Sequence, residues 1–271
     1  VQVSQETVSR LTCYLTSNST FSIMGKKVFG KKEALTLEVL KVDIHHAGYS
    51  GRQDAVQDIH FTLNSGKLVG LIGPNGAGKS TTIKAIINLL PELAGNILFM
   101  HENKTCAYIP EQPVLYDELT LWEHLELSAA AYEMDREYFI KRSEELLFLF
   151  HLTDVKHHFP GSFSKGMQQK LMVIIGLLIQ PDVYIIDEPF VGLDPRATMQ
   201  FINLLEEEKT RGAGILISTH QLDIAERICD DIILIANGKL VTQGNLEQIR
   251  EQCRLPKASL FDCFNSILEN A

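Results

Sequence analysis

Residues 68–90 constrain the fold of this chain more tightly than any other stretch. Leu68–Ile72 is an apolar run of strand length. Gly73-Pro74-Asn75-Gly76-Ala77-Gly78-Lys79-Ser80-Thr81 comes next, then apolar residues at helical spacing as far as Leu90, where Pro91 stops the pattern. The glycine-rich segment fits G-x-x-x-x-G-K-[ST] in the strand–loop–helix setting that this pattern requires. Gly73, Gly76 and Gly78 let the backbone wrap closely enough for successive N–H groups to face one anion. The helix behind them adds its positive N-terminal end. Lys79 is placed to reach β- and γ-phosphates, and Ser80 to offer its hydroxyl to Mg²⁺. A functionless turn fits the bare pattern but not the junction of strand, Lys-Ser-Thr and helix. The segment is predicted to bind a nucleoside triphosphate.

With 271 residues, the chain has room for one large domain, or one with an inserted subdomain, at roughly 150 residues per domain. A net charge of −9 argues against nucleic acid or anionic lipid as a direct partner, because both reward a basic surface. The five cysteines, Cys13, Cys106, Cys229, Cys253 and Cys263, form no C-x-x-C pair, which fits unpaired thiols better than a disulfide framework or a zinc site. The longest apolar run, residues 171–179, falls well short of the ~20 residues that cross a bilayer. Work at a membrane would therefore need another chain to supply the channel.

Residues 1–34 do not share the patterning of the rest of the chain and read as an N-terminal extension, with Met24 a candidate start. Strands are predicted at 35–42 and 55–63, forming a small antiparallel region. Tyr49, in the turn between them, reads as a surface aromatic or as a platform for an adenine ring. His45-His46 and His157-His158 read as solvated loop histidines rather than a metal site. Helical pattern runs from Thr120 to about Phe150, opening on the capping box Thr120-Leu121-Trp122-Glu123. Ser164 reads as the N-cap of another helix, a second potential anion site. The apolar run Val183-Tyr184-Ile185-Ile186 ends in Asp187-Glu188, at the strand end where open α/β sheets bind ligands. Asp187 is expected to orient Mg²⁺ and Glu188 to face the attacking water. A later strand ends in Thr219-His220 on the same sheet edge. Asn237-Gly238 between apolar runs predicts a hairpin, and the tail, 251–271, is predicted helical.

Taken together, these residues resemble the ATPase subunit of ABC transporters from about residue 35 to the C-terminus. The resemblance implies an α/β fold: a P-loop NTPase core with a mostly parallel sheet, a small N-terminal antiparallel β region and a helical subdomain inserted at about 113–180. It implies ATP and Mg²⁺ as ligands. Gly73, Pro74, Asn75, Gly76, Ala77, Gly78, Lys79, Ser80 and Thr81 then cradle the phosphates, and Tyr49 stands at the A-loop. Gln112 stands at the Q-loop, joining Mg²⁺ to the helical subdomain. Ser164 and Gly166 belong to the signature, Asp187 to the Mg²⁺ site and Asp194 to the D-loop. Glu188 is the catalytic carboxylate and His220 the switch histidine. Within the family, Phe163-Ser164-Lys165-Gly166-Met167 and Tyr184-Ile185-Ile186-Asp187-Glu188-Pro189-Phe190 are most similar to Ecs-type ATPases, which pair with a separate membrane subunit. Lys165 and Met167 depart from the usual Leu-Ser-Gly-Gly-Gln signature, and Lys165 is expected to face solvent.

The resemblance further implies a head-to-tail homodimer around two ATP molecules. Each site would take the P-loop and Asp187-Glu188 from one copy, and Ser164 and Gly166 from the other. An integral-membrane subunit on a separate chain would dock beside Gln112, near Tyr116 and Trp122, although Trp122 also reads as core. This places the protein on the cytoplasmic face of the membrane, in exporter-type transport. The rival readings are a non-transport ABC ATPase of repair, assembly or ribosome-associated work, and a small-molecule P-loop kinase.

Overall fold

The computed structural model describes residues 37–100 and 106–270. The extension at 1–34, with Cys13 and Met24, and the start of the strand expected at 35 lie outside these residues. In chain order the strands are β1 (Glu38–Tyr49), β2 (Arg52–Asn64), β3 (Leu68–Ile72), β4 (Glu92–Phe99), β5 (Cys106–Ile109), β6 (Val183–Asp187), β7 (Gly214–Thr219), β8 (Asp231–Ala236) and β9 (Lys239–Gly244). The helices are α1 (Lys79–Ile86), α2 (Leu121–Ala131), α3 (Arg136–Leu149), α4 (Lys165–Ile179), α5 (Pro195–Arg211), α6 (Leu222–Ile228), α7 (Leu246–Cys253) and α8 (Leu260–Asn270). The strands form a nine-stranded sheet in the order β4-β1-β2-β9-β8-β3-β7-β6-β5.

Strands β8, β3, β7, β6 and β5 run parallel. Every residue of β3, β6 and β7 is buried, which explains why their sequences read as unbroken apolar runs rather than alternating ones. Parallel pairing of Ile72 with Thr219 and of Asp187 with Ser218 brings the strand ends that carry polar residues to one edge. The antiparallel part behaves differently. In β1, Val42 and Ile44 point inward while Lys41 and His45 point outward, giving the alternation of a one-sided sheet.

Three apolar clusters fill the two faces. The largest joins α2, α3 and α4 to α5 through Phe150, Leu171, Leu177 and Phe201. The second lies under the antiparallel strands and α1, around Ile44, Val56, Leu71 and Ile83. The third closes α7 and α8 over β8 with Ile232, Leu234, Ile249 and Leu260. The hairpin turn Asn237-Gly238 has positive φ at both residues, 50° and 76°, as a two-residue type I′ turn requires. It braces the phosphate loop, because the Gly238 N–H donates to the Ala77 carbonyl (2.9 Å) and the Gln57 N–H donates to the Gly238 carbonyl (2.8 Å).

Several local expectations need correction. Helix α1 ends at Ile86 rather than Leu90, because Asn88 takes a left-handed conformation (φ 57°) before β4 starts at Glu92. His45 and His46 are strand residues of β1, not loop residues, and Tyr49 is the last residue of that strand, paired with Arg52. The helical stretch after Thr120 is two helices, broken where Glu133 is left-handed (φ 50°) and Asp135 caps α3 through the Tyr138 N–H. The Thr120–Glu123 capping box is present. Trp122 packs against Phe139, with ring centroids 5.3 Å apart, and the Lys156 ammonium lies over its face.

One buried polar residue secures the segment ahead of α2. His124 Nε2 accepts the Tyr116 N–H (2.9 Å), and Nδ1 donates to the Thr120 carbonyl (2.8 Å), a pairing that only the neutral imidazole makes. Burial holds this histidine below its ordinary value. The folded protein then binds fewer protons than the unfolded chain below about pH 6.5, so this contribution to stability is present above that pH and lost on acidification. The urea midpoint of the wild type is expected to fall between pH 7 and pH 5 by more than that of His124→Gln. Equal falls in the two proteins would remove His124 from this role.

Candidate active site

The phosphate loop owes its path to contacts behind it. A Cβ on Gly73 would stand 2.2 Å from the Ile235 carbonyl oxygen, so β3 leads into the loop only through a residue without one. Gly78 has φ 110°, and a Cβ there would meet Val56 Cγ1 at 2.7 Å. Gly78 is also the N-cap of α1 and brings no capping side chain, so the first N–H groups of that helix are left for a ligand to satisfy. Lys79 folds back across the loop. Its Nζ donates to the Gly73 carbonyl (2.9 Å) and the Pro74 carbonyl (3.4 Å) and lies 3.5 Å from Glu188 Oε1, with only 6% of the residue exposed.

Strand β6 delivers the carboxylates. Asp187 is buried at its end, and its Oδ1 accepts from Ser80 Oγ (3.2 Å) and Ser218 Oγ (2.5 Å). Glu188 is buried as well and takes a left-handed backbone (φ 46°) that few non-glycine residues adopt. Such a conformation costs of order 1–3 kcal/mol and persists where its surroundings over-determine it. Here the Glu188 N–H donates to the Ser218 carbonyl (3.2 Å) and to Ser218 Oγ (3.0 Å). Glu188 Oε2 accepts from the backbone N–H (3.3 Å) and Nδ1 (2.9 Å) of His220. With Nδ1 donating to a carboxylate, Nε2 of a neutral His220 is the acceptor.

These groups open onto a cleft of about 600 Å³ lined by Tyr49, Ala55, Asn75, Gly76, Gly78, Lys79, Ser80, Thr81, Glu111, Glu188, Val191 and His220. The volume lies within the usual range for a small-molecule site, about 300–1,000 Å³. Gly73 and Ala77 are buried on the loop's inner side, Pro74 is exposed, and Asp187 stands beside Ser80. Gln112 is exposed and does not line the cleft; its neighbour Glu111 does. The Pro-Glu-Gln-Pro segment marks the right loop, but its pattern does not tell which of two adjacent polar side chains faces inward. Ser218 is a further residue that sequence reasoning misses. Its only signal is a hydroxyl next to the end of a largely apolar strand, and its importance comes from the register that sets it beside Asp187.

Ser164, Gly166 and Asp194 form a second group. Ser164 caps α4, its Oγ accepting the Met167 N–H (3.3 Å), and Lys165 is exposed. Gly166 lies so close to the Gly192 carbonyl that a Cβ would approach it to 2.8 Å. Asp194 caps α5 by accepting the Ala197 N–H (2.9 Å) and binds Lys170 Nζ (2.6 Å). The Lys170 ammonium, with the Ala197 N–H, holds the Asp194 carboxyl below the usual range. None of the three lines the cleft around Lys79.

The sequence matches the ABC transporter family over residues 56–191. It is 49% identical to the ABC transporter ATP-binding protein YthP of Bacillus subtilis, over 83% of this chain and 95% of that protein. The chain belongs to the ABC transporter family. Identity to the ABC-type transporter ATP-binding protein EcsA of Bacillus subtilis is 44%, over 84% of this chain and 96% of that protein. A solved ATP-binding subunit of an ABC transporter superposes with a TM-score of 0.80 at 42% identity, covering 85% of this chain and 99% of that one. This ABC protein is thus an ATP-binding subunit and an ATPase. Its donor set suits Mg²⁺: the hydroxyl of Ser80 and the carboxylate of Asp187 are oxygen ligands that already converge, and Mg²⁺ takes few protein oxygens beside phosphate oxygens and water.

Proposed function

We propose that two copies of this ATPase close head to tail over two ATP molecules and drive an exporter through a separate membrane subunit. The observation that carries the reading is the separation within one chain. The phosphate loop, Glu188 and His220 share one cleft, while Ser164 and Gly166 open α4 outside it and Asp194 is tied to α4 through Lys170. A helix start capped by Ser164 faces no phosphate in its own chain, and a second copy supplies one. Ser80 and Asp187 would hold Mg²⁺, which would offset charge on the β- and γ-phosphates. Lys79 binds the same oxygens, Glu188 takes a proton from the attacking water, and His220 turns from Glu188 to donate its ring N–H to the γ-phosphate edge. Loss of the γ-phosphate removes the contact that joins the copies, and they part.

The region at 113–180, between β5 and β6, acts as the subdomain that passes this motion to the membrane subunit. Among the described residues no helix is long and apolar enough to cross a membrane, which supports a separate membrane chain on whose cytoplasmic side this subunit sits. Export follows the resemblance to Ecs-type ATPases. In Ser164→Arg a bulky cation occupies the helix start. ATP affinity is expected to stay within about threefold of wild type, and turnover to drop at least ~100-fold, about 2.7 kcal/mol of barrier. Turnover at the wild-type rate would overturn the sandwich. Co-purification of a multi-span membrane protein with the tagged subunit tests the transport part separately.

A further inference from the structure

The outer face of the antiparallel region gathers Asp43, His45 and His60. Asp43 and His60 are direct cross-strand partners on β1 and β2, and Asp43 Oδ1 lies 2.7 Å from His60 Nδ1. His45 stands two residues after Asp43 on the same face. It sits where the register of β1 against β4 shifts between Ile44 and His46. A bulge of that kind re-aims a side chain, and here the His45 ring stands edge-on to His60 with centroids 6.0 Å apart. One ligand atom from each residue falls within 4.8 Å of the other two.

We infer that Asp43, His45 and His60 form a binding site for a divalent first-row transition-metal ion of the Zn²⁺ type. Two imidazole nitrogens and one carboxylate oxygen are the ligands such ions take, whereas Mg²⁺ takes oxygen alone. Bonds of about 2.1 Å in a tetrahedral site put ligand atoms roughly 3.4 Å apart. The triad therefore closes on an ion by modest side-chain rotation, which opens the short Asp43–His60 contact. An ion seated between Oδ1 and Nδ1 replaces the hydrogen bond now made there, and His60 carries its proton on Nε2 instead. Water fills the remaining position. The backbone beneath is fixed, since Val42, Ile44 and Ile59 are fully or almost fully buried below the three side chains. Both His60 and Asp43 are open to solvent, which gives the ion a path in. The site shares no residue with the cleft of Lys79, and a bound ion staples β1 to β2.

The test is a Zn²⁺ titration of the full chain against a colorimetric chelator, without nucleotide or Mg²⁺, followed by X-ray absorption at the zinc edge. The wild type is expected to take up one equivalent with nitrogen and oxygen neighbours and to unfold at a higher temperature when loaded. His45→Ala and His60→Ala are each expected to weaken uptake at least tenfold while keeping ATPase activity. ATPase activity in these variants also verifies that they fold, both positions being exposed. No uptake by the wild type, unchanged uptake in both variants, or sulfur around the ion would each overturn the assignment.

Discussion

Glu188→Gln is expected to lower ATP turnover by about 10²–10⁴-fold, the range that a positioned general base contributes, while ATP affinity changes only a few-fold. The substitution keeps the side chain's shape and its acceptor oxygen for His220, now 2.9 Å from Oε2. It removes the charge and with it the basicity that draws a proton from water. The backbone of residue 188, held left-handed by two bonds to Ser218, has no reason to move. Phosphate release, nucleotide affinity and molecular mass in saturating ATP together read the result. Turnover within tenfold of wild type would take the proton-accepting role from Glu188. A variant that binds ATP and stays monomeric would count against the paired arrangement.

Lys79→Ala is expected to reduce ATP affinity by at least ~100-fold, about 2.7 kcal/mol. The ammonium is nearly enclosed and is held by two loop carbonyls, so it is already ordered where the phosphates arrive. Its removal also leaves Glu188, 7% exposed, without the cation 3.5 Å away, which adds a repulsive carboxylate to an emptied cradle. Lys79→Arg separates charge from shape. A planar guanidinium does not fit where a compact ammonium sits between carbonyls, so it too is expected to bind poorly. Near-normal affinity in the alanine variant, by titration with a fluorescent ATP analogue, would show that the backbone N–H groups alone carry binding.

The phosphate loop, the β6 carboxylates and the helix start at Ser164 are legible in the sequence because each is contiguous and sits at a junction of apolar period and polar residue. The features that escape a linear reading are set by pairing between distant segments. Ser218 gains its role from lying level with Asp187 on the next strand. His45 reads as loop because Gly48 and Gly51 suggest an earlier turn, whereas β1 continues to Tyr49 with Arg52 opposite. Glu111 and Gln112 differ only in which way an irregular backbone aims them. The pattern overruns the end of α1 because Leu89 and Leu90 keep the apolar period after Asn88 has already reversed the chain.

Strands β2 and β9 meet at a single register pair, Gln57 with Lys239, against the five that join β3 to β7. The seam between the Tyr49-bearing hairpin and the remainder of the sheet is thus thinly stitched, and it runs through the same Asn237-Gly238 turn that props Ala77. The side chains of Val56, Leu71 and Ile235, packed in one apolar cluster, carry the join that backbone pairing leaves sparse.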